Sequence, residues 1–524
     1  MNVRELTAPL ASPMISGDLN TAITGIAYDS RQVKPGFAFV ALRGAKVDGH
    51  DFIGKAIELG AALIIAESPG GYEVKTPWVH VPDSRVALAL TAAAFYGFPA
   101  RDLAIAGITG TNGKTTIGFL VHHLLNKAQM RCGLLGTVHY DLGGAIIPAT
   151  HTTPESLELQ QHLATMRENG CRAVAMEVSS HALHQHRVHG IPFKAAVFTN
   201  LTQDHLDYHG TLDNYFDAKS MLFQTVAEQT AGKMIINSDD SWGRRLAQRF
   251  ESTKRVITYG YGVSSSLRAV NVRYDATGTS FGLEAKGREY LVRMPLVGDF
   301  NVYNALAALG VAEAVGVNFR EAVNNLKSAP QVPGRLERVS EDQERFQVYV
   351  DYAHTPDAII NALKAVRALR PARIITVFGC GGDRDRSKRP IMARAAEQGS
   401  DICILTSDNP RTEDPAQIIK DASAGFGGRS HTEIVDRREA IEAAINNASP
   451  GDIVVILGKG HEDYQDVQGV KHPFDDRRVA HGFLRARRDA LGQQRVEDQR
   501  LRDEREQQGG GWPRDDRDKG GGRR

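Results

Sequence analysis

Leu103-Ala104-Ile105-Ala106-Gly107-Ile108-Thr109-Gly110-Thr111-Asn112-Gly113-Lys114-Thr115-Thr116 passes from an apolar run into a glycine-rich loop. Beyond it, Phe119, Leu120, Leu124 and Leu125 recur on one helical face. Strand, glycine-rich loop, helix is the context that makes such a loop a phosphate cradle, because backbone N–H groups and the helix N-terminus face the anion. In that cradle Lys114 would reach the terminal phosphates and a threonine hydroxyl would hold Mg²⁺. The generic pattern wants glycine five residues before Gly113, and position 108 is Ile, so the loop is a variant.

The segments around it follow one pattern. Ala173-Val174-Ala175-Met176 runs into Glu177-Val178-Ser179-Ser180-His181; Ala195-Ala196-Val197-Phe198 runs into Thr199 and Asn200 and then Asp204-His205-Leu206-Asp207; Met234-Ile235-Ile236 runs into Asn237 to Asp240. Strand-like runs alternating with helical stretches indicate a mostly parallel α/β sheet, whose ligands bind at the strands' carboxyl ends. This P-loop section spans about 101 to 333. Before it, residues 1 to about 100 read as a small α/β domain, with strand-like 37–42 and 62–66, a helix from Ser84 to Tyr96 and a boundary at Gly97-Phe98-Pro99. After the Pro330–Gly334 linker, a Rossmann-like α/β domain is expected over 334–490. Its strands 348–350, 374–378, 402–405 and 453–457 each run into a polar or glycine-rich loop. From 491 to 524 the chain is nearly all Arg, Asp, Glu, Gln and Gly, and a disordered tail is expected.

Composition bounds the function. At 524 residues the chain needs several cores, and a net charge of +1 gives no argument for nucleic acid or membrane surfaces. No apolar run is long enough for a membrane helix. Cys132, Cys171, Cys380 and Cys403 lack CxxC spacing and read as reduced thiols of a cytosolic protein; Met1 to Glu5 do not begin a signal peptide.

Taken singly, the candidate residues are ambiguous. Glu177 suits a Mg²⁺ ligand or a helix cap, and His205 a cation or an ordinary loop. Four histidines, His181, His184, His186 and His189, match no zinc spacing. Lys219, in the helical stretch Tyr215 to Phe223, reads as a surface lysine. Ser407-Asp408-Asn409-Pro410-Arg411 suits a turn, or a guanidinium fork presented to a carboxylate.

Together the motifs resemble the Mur ligases, ATP-dependent amide-forming enzymes of peptidoglycan synthesis. The carrying stretches are 109–116, Glu177 to His181, Thr199 to Asp207, Gly298 to Asn304, Pro333-Gly334-Arg335 and Asp351 to Asp357. The first domain and the loop at 408 resemble the diaminopimelate-adding branch. The resemblance covers roughly residues 20 to 490, without the tail.

That resemblance implies ATP on Gly110, Thr111, Asn112, Gly113, Lys114, Thr115 and Thr116, with Asn301, Asn304, Arg335 and His354 near the nucleotide. It implies Mg²⁺ on Thr115, Glu177, His205 and Lys219, the lysine being carbamylated, and chemistry carried by Lys114, Glu177, His205 and Lys219. UDP-N-acetylmuramoyl-L-Ala-D-Glu would contact Ser30, Ala45, Lys46, Val47, His151, Thr152, Thr153, Ser179, Gln185 and Arg187, although relatives often carry Asn where His151 stands. Meso-diaminopimelate would contact Arg384, Asp408, Asn409, Pro410, Arg411, Gly458 and Glu462. A cytoplasmic monomer is expected. Two alternatives stay open: a sister ligase that adds lysine or another amine, and a non-catalytic nucleotide-binding scaffold of the cell wall.

Overall fold

The computed structural model describes residues 1–509 except 12, 45–46, 69–75, 276 and 429–430. It divides into two compact units, residues 1–335 with 364–370, and residues 336–363 with 371–509.

The first unit holds two sheets. The smaller has five strands, four of them parallel: Trp78–His80, Leu63–Ala66, Phe37–Val40 and Gly25–Ala27. Leu63–Ala66 is buried at every position, as a parallel strand covered on both faces must be. The helix Ser84–Phe95 is capped by Asp83, whose carboxylate accepts from the backbone of Arg85 and Val86, and it packs Ala87 and Leu88 onto the sheet.

The larger sheet has eleven strands. Cys132–Leu135, Ala173–Glu177, Ala104–Thr109, Phe193–Phe198, Lys233–Asn237 and Val256–Gly260 lie side by side and parallel in that order. Helices cover both faces. Lys114–Lys127 and Asp299–Ala314 place Ile117, Leu120, Leu124, Leu306 and Leu309 in one core; Ser156–Glu168 and Leu212–Glu228 place Leu159, Leu163, Phe216 and Phe223 in the other. Beyond the parallel strands the sheet continues where the sequence reading assigns nothing. Leu267–Asp275, Gly278–Ala285 and Arg288–Met294 form an antiparallel meander, pairing Phe281 with Val292 and Leu283 with Tyr290. Its outer strands are half exposed and carry Arg, Glu and Tyr among their apolar residues, which hides them from a search for apolar runs.

The second unit is a six-stranded sheet in which Gln347–Asp351, Ile453–Leu457, Ile374–Cys380, Ile402–Ser407 and His431–Glu433 run parallel in that order. Their carboxyl ends, and the loops that leave them, share one edge. A two-stranded hairpin, Tyr464–Val467 with Val470–Pro473, follows the loop at 458–463. The disordered tail expected from 491 is corrected over 491–509, which continue the helix Asp476–Gly509; residues 510–524 lie outside the described residues. Arg, Gln and Glu are good helix formers, and the pairs Gln499–Asp503 and Arg500–Glu504, at 2.8 and 3.0 Å, bridge successive turns. Among the described residues no helix is long and apolar enough to cross a membrane.

Candidate functional site

In the first unit the glycine-rich loop joins Ala104–Thr109 to Lys114–Lys127. Gly110 has φ +141, and a Cβ there would run into the Thr199 hydroxyl, so only glycine lets the loop lie against the next strand's end. Thr199 Oγ1 donates to Asn112 O at 2.6 Å and Asn200 Oδ1 accepts from Asn112 N at 3.0 Å. Thr111 Oγ1 accepts from Thr202 N at 3.0 Å. Asn304, held by its bond to Asn301 Oδ1 at 3.0 Å, lies against Gly113; Arg335 Nη2 donates to Thr115 Oγ1 at 3.3 Å. Thr115 and Thr116 are buried.

Two lysines meet on this loop. Lys114 Nζ donates to Gly110 O and Thr111 O at 2.9 and 2.7 Å, and Lys219 Nζ donates to the same Gly110 O at 2.9 Å. Lys219 is buried, not on the surface as its sequence context alone suggests: Leu212–Glu228 turns it inward with Tyr215, Phe216 and Leu222, and its amine lies over the Tyr215 ring. Burial holds Lys219 well below the usual lysine range, and the charge of Lys114 adds to it. Burial lowers Lys114 too, with Arg335 adding and Glu177 and Asp204 opposing. Both amines are thus biased toward the neutral form, mainly by burial.

Glu177 ends its strand buried, its carboxylate accepting from Thr137 N at 2.8 Å and Thr137 Oγ1 at 3.1 Å. His205 takes a left-handed backbone, φ +52, and stacks edge-on to His181 with ring centroids 4.9 Å apart. Burial depresses His205, against the opposing charge of Asp204, and pushes the neighbouring His209 down to about 4. Among the described residues no group of three or more His, Cys, Asp or Glu could hold a metal by itself.

Beside Glu177 a polar wall continues. Thr137 Oγ1 lies 3.0 Å from Thr152 Oγ1; Thr153 Oγ1 donates to Glu177 O at 2.9 Å and accepts from Ser179 N at 3.0 Å. Arg187 donates to Gln185 Oε1 at 2.7 Å and Thr153 O at 3.0 Å, and pairs with Glu155 at 2.7 Å. Of the residues named from sequence, Thr152, Thr153, Ser179, Gln185 and Arg187 are brought together here with Glu177. His151 is exposed and joins the wall through its backbone N–H, which donates to the Tyr140 hydroxyl. Ser30 opens a short helix of the small sheet, Val47 is exposed nearby in the chain, and Ala45 and Lys46 lie outside the described residues.

In the second unit the loops after Ile402–Ser407 and Ile453–Leu457 meet. Asn409 Nδ2 donates to Glu462 Oε2 at 2.8 Å. Gly458, at φ +116, passes so close to Asp408 that a Cβ would lie 2.3 Å from its Oδ2. Arg411, also left-handed, donates its Nη1 to Gly382 O at 2.6 Å. A Cβ on Gly381 would lie 3.0 Å from Arg411 Nη1 and 3.7 Å from Arg384 Cγ, so the Arg411 guanidinium and the Arg384 stem both border it. Pro410 is buried between. His354 follows Gln347–Asp351 in the same unit, exposed, its ring nitrogen 2.7 Å from Tyr352 O.

Residues 22–96 match the Mur ligase family, catalytic domain; residues 108–312 match the Mur ligase middle domain; residues 334–460 match the Mur ligase, glutamate ligase domain. A relative from Solibacter usitatus is 43% identical over 489 residues, covering 93% of this chain and 98% of its own. The chain belongs to the Mur ligase family. That relative is named UDP-N-acetylmuramoyl-L-alanyl-D-glutamate--2,6-diaminopimelate ligase, as is one from Gloeobacter violaceus, 47% identical over 89% of this chain and 94% of its own. A solved structure of the same name matches with TM-score 0.69 at 35% identity, over 93% of this chain and 99% of that one. The Thermotoga maritima MurF ligase, solved with ADP, shares the fold at TM-score 0.59 and 19% identity, over 90% of this chain and all of its own.

The geometry of this Mur ligase also brings in residues that the sequence reading passes over. Thr137 grips Glu177; it directly follows Gly136 at a strand's carboxyl end, the position that flagged the other candidates. Lys459, fully buried, bonds Asn409 and Glu462, and the signal was present in Gly458-Lys459-Gly460 after an apolar strand. Arg437 and Asp476, both sealed from solvent, pair at 2.7 Å, and Arg437 also donates to Ser407 O and Leu457 O, tying two loop-bearing strand ends together. No local pattern announces a pair so far apart in sequence.

Proposed function

We propose that this Mur ligase joins meso-diaminopimelate to the D-glutamate γ-carboxylate of UDP-N-acetylmuramoyl-L-Ala-D-Glu, hydrolysing ATP to ADP and phosphate in the process. The observation that carries it is the 43–47% identity, over nearly their full length, to relatives bearing that name, together with an arginine-bearing Asp408-Asn409-Pro410-Arg411 loop fit to read a carboxylate.

The γ-phosphoryl group passes to the carboxylate oxygen, giving an acyl phosphate. The amine then attacks the acyl carbon, a proton leaves its nitrogen, and phosphate departs as the amide forms. Phosphoryl transfer asks the protein for alignment and charge neutralisation more than covalent help. Lys114, Lys219 and Arg335 crowd positive charge around the loop, a site that an anion relieves. Thr153, Ser179, Gln185 and Arg187 would hold the dipeptide beside it.

The donors fit a Mg²⁺ that shares its coordination with the triphosphate. Glu177 and Thr115 offer hard oxygen, and Mg²⁺ takes one or two carboxylates plus substrate phosphates rather than a full protein cage. It would supply charge neutralisation of the phosphates. Lys219 as an amine is a poor neighbour for a cation, but burial and Lys114 bias it to the neutral form that reacts with CO₂. The carbamate formed, with loss of a proton, presents anionic oxygen. His205 would complete the set. ATP and a nucleotide-sugar substrate fit a cytoplasmic enzyme, and we assign it as a monomer.

The test is ADP release by purified protein given the nucleotide dipeptide, ATP and candidate amino acids, with the product's mass confirmed. Diaminopimelate is expected as the preferred amine. Equal turnover of L-lysine would reject the assignment, since lysine lacks the second carboxylate and would leave Arg411 without its partner.

A further inference from the structure

We propose that Lys459 is a positioning residue for the amino-acid site: it orients Glu462 and Asn409 so that the pocket reads the second ammonium of a diamino diacid. This rests on the substrate proposed above and adds the residue that sets part of its specificity.

Lys459 has no solvent exposure. A lysine removed from water is costly unless it is paired and hydrogen-bonded, so its partners show what it is there to hold. Its Nζ donates to Asn409 Oδ1 at 3.0 Å and to Glu462 Oε2 at 3.1 Å. Asn409 Oδ1 accepts a second bond, from Asp466 N at 2.9 Å. Two donors into that oxygen fix which end of the amide faces which way. Asn409 Nδ2 must then point at Glu462, and it does, reaching Oε2 at 2.8 Å.

Glu462 Oε2 therefore carries two donors, which leaves its other oxygen to accept from a ligand's ammonium. Fixed in this way the carboxylate is a preorganised acceptor. Around it Arg411 and Lys459 are positive, Asp408 and Glu462 negative. Charges of both signs suit a zwitterionic amino-acid end, with Arg411 on the carboxylate and Glu462 on the ammonium. Without Lys459, Glu462 would lose the cation that holds it in this register, and the reading of the ammonium should fail before the reading of the carboxylate.

The discriminating pair is meso-diaminopimelate against L-2-aminopimelate, which keeps both carboxylates and lacks one amine. Assays use the full-length enzyme with ATP and the nucleotide dipeptide. Wild type is expected to favour diaminopimelate by about tenfold or more in kcat/KM, the scale of one hydrogen-bonded charge. Lys459→Met should raise the KM for diaminopimelate about tenfold, collapse the preference toward unity and leave the KM for ATP within about twofold. Lys459→Arg should keep more of the preference than Lys459→Met. Should Lys459→Met fail to fold, as judged by its melting curve, Glu462→Gln keeps the side chain's shape and should collapse the preference from the other side. A Lys459→Met enzyme that keeps the preference, or weakens both compounds alike, overturns the proposal, as does a Glu462→Gln enzyme that keeps it. A wild-type enzyme that turns over neither compound overturns the function itself, and that control separates the two failures.

Discussion

The two candidate sites, one in each unit, handle buried positive charge in opposite ways. At the glycine-rich loop, Lys114 and Lys219 share one carbonyl oxygen, and burial disfavours both protonated forms, with the charge of Lys114 adding for Lys219 and that of Arg335 for Lys114. In the second unit the buried cations Lys459, Arg437 and Arg389 each have an anion. Lys459 pairs with Glu462, Arg437 with Asp476, and Arg389 with Glu413 and Asp421 at 2.6 and 2.9 Å. The first site, on the function proposed above, holds cations that a polyphosphate would pair. The second, on the function proposed above, is a template whose charges are already paired before a zwitterion arrives. Chemistry explains the difference: phosphoryl transfer needs positive charge that strengthens its grip as negative charge moves, whereas choosing among amines needs fixed donors and acceptors that punish a missing partner.

If that contrast holds, the same kind of change should have different effects in the two places. Lys114→Ala removes a donor that serves the transferring phosphoryl group. It should lower kcat/KM about a thousandfold with little loss of stability, measured by ADP release and a melting curve. Retained activity would break the comparison at its first term. Arg437→Met, by contrast, strands Asp476 as a buried charge and releases the ends of Ile402–Ser407 and Ile453–Leu457. It should cost about 3–5 kcal/mol of stability in the second unit, read from urea unfolding; an unchanged midpoint would mean that the template is not held by its ion pairs. A smaller effect is expected from Arg411→Leu. It should raise the KM for diaminopimelate and cut its preference over L-lysine by about a hundredfold. Loss of both amines in parallel would make Arg411 structural rather than selective.

Much of this was legible in the chain because parallel strands are buried on both faces. Ala173–Glu177, Phe193–Phe198, Ile402–Ser407 and Ile453–Leu457 are apolar runs that stop abruptly, and the first polar residues after them are the candidate ligands. The meander 267–294 was not legible, since one face of it is wet. Neither was Arg437 with Asp476, whose partnership exists only once the sheet is built. Lys219 is instructive, because the family resemblance puts it in the site while its local context alone reads as surface. Its residue type argues for the surface, yet Tyr215, Leu222 and Val226 recur with it at helical spacing, and that periodicity marks the buried face. For the helix beyond 491 the sequence lacks apolar residues to bury, but helix propensity and pairs on successive turns need no core.

The finest test turns the first site into the second. A lysine whose folded pKa lies below its unfolded value near about 10.4 makes the unfolded chain bind more protons between the two values. Stability of the ligand-free protein should therefore rise with pH through that window; the penalty is full below the folded pKa and gone above the unfolded one. Lys219→Met in bicarbonate-free buffer loses one hydrogen bond to Gly110 O, worth about 1 kcal/mol, and relieves the burial and repulsion of a charge beside Lys114. Relief should win, raising the melting temperature by about 2 °C near neutral pH and flattening its slope with pH. Bicarbonate should then reverse the order. A carbamate on Lys219 would place an anion against Lys114, pairing the cation as Glu462 pairs Lys459, so wild type should gain stability with bicarbonate and Lys219→Met should not. A wild-type melting curve indifferent to bicarbonate would mean that the cations are paired by nucleotide alone.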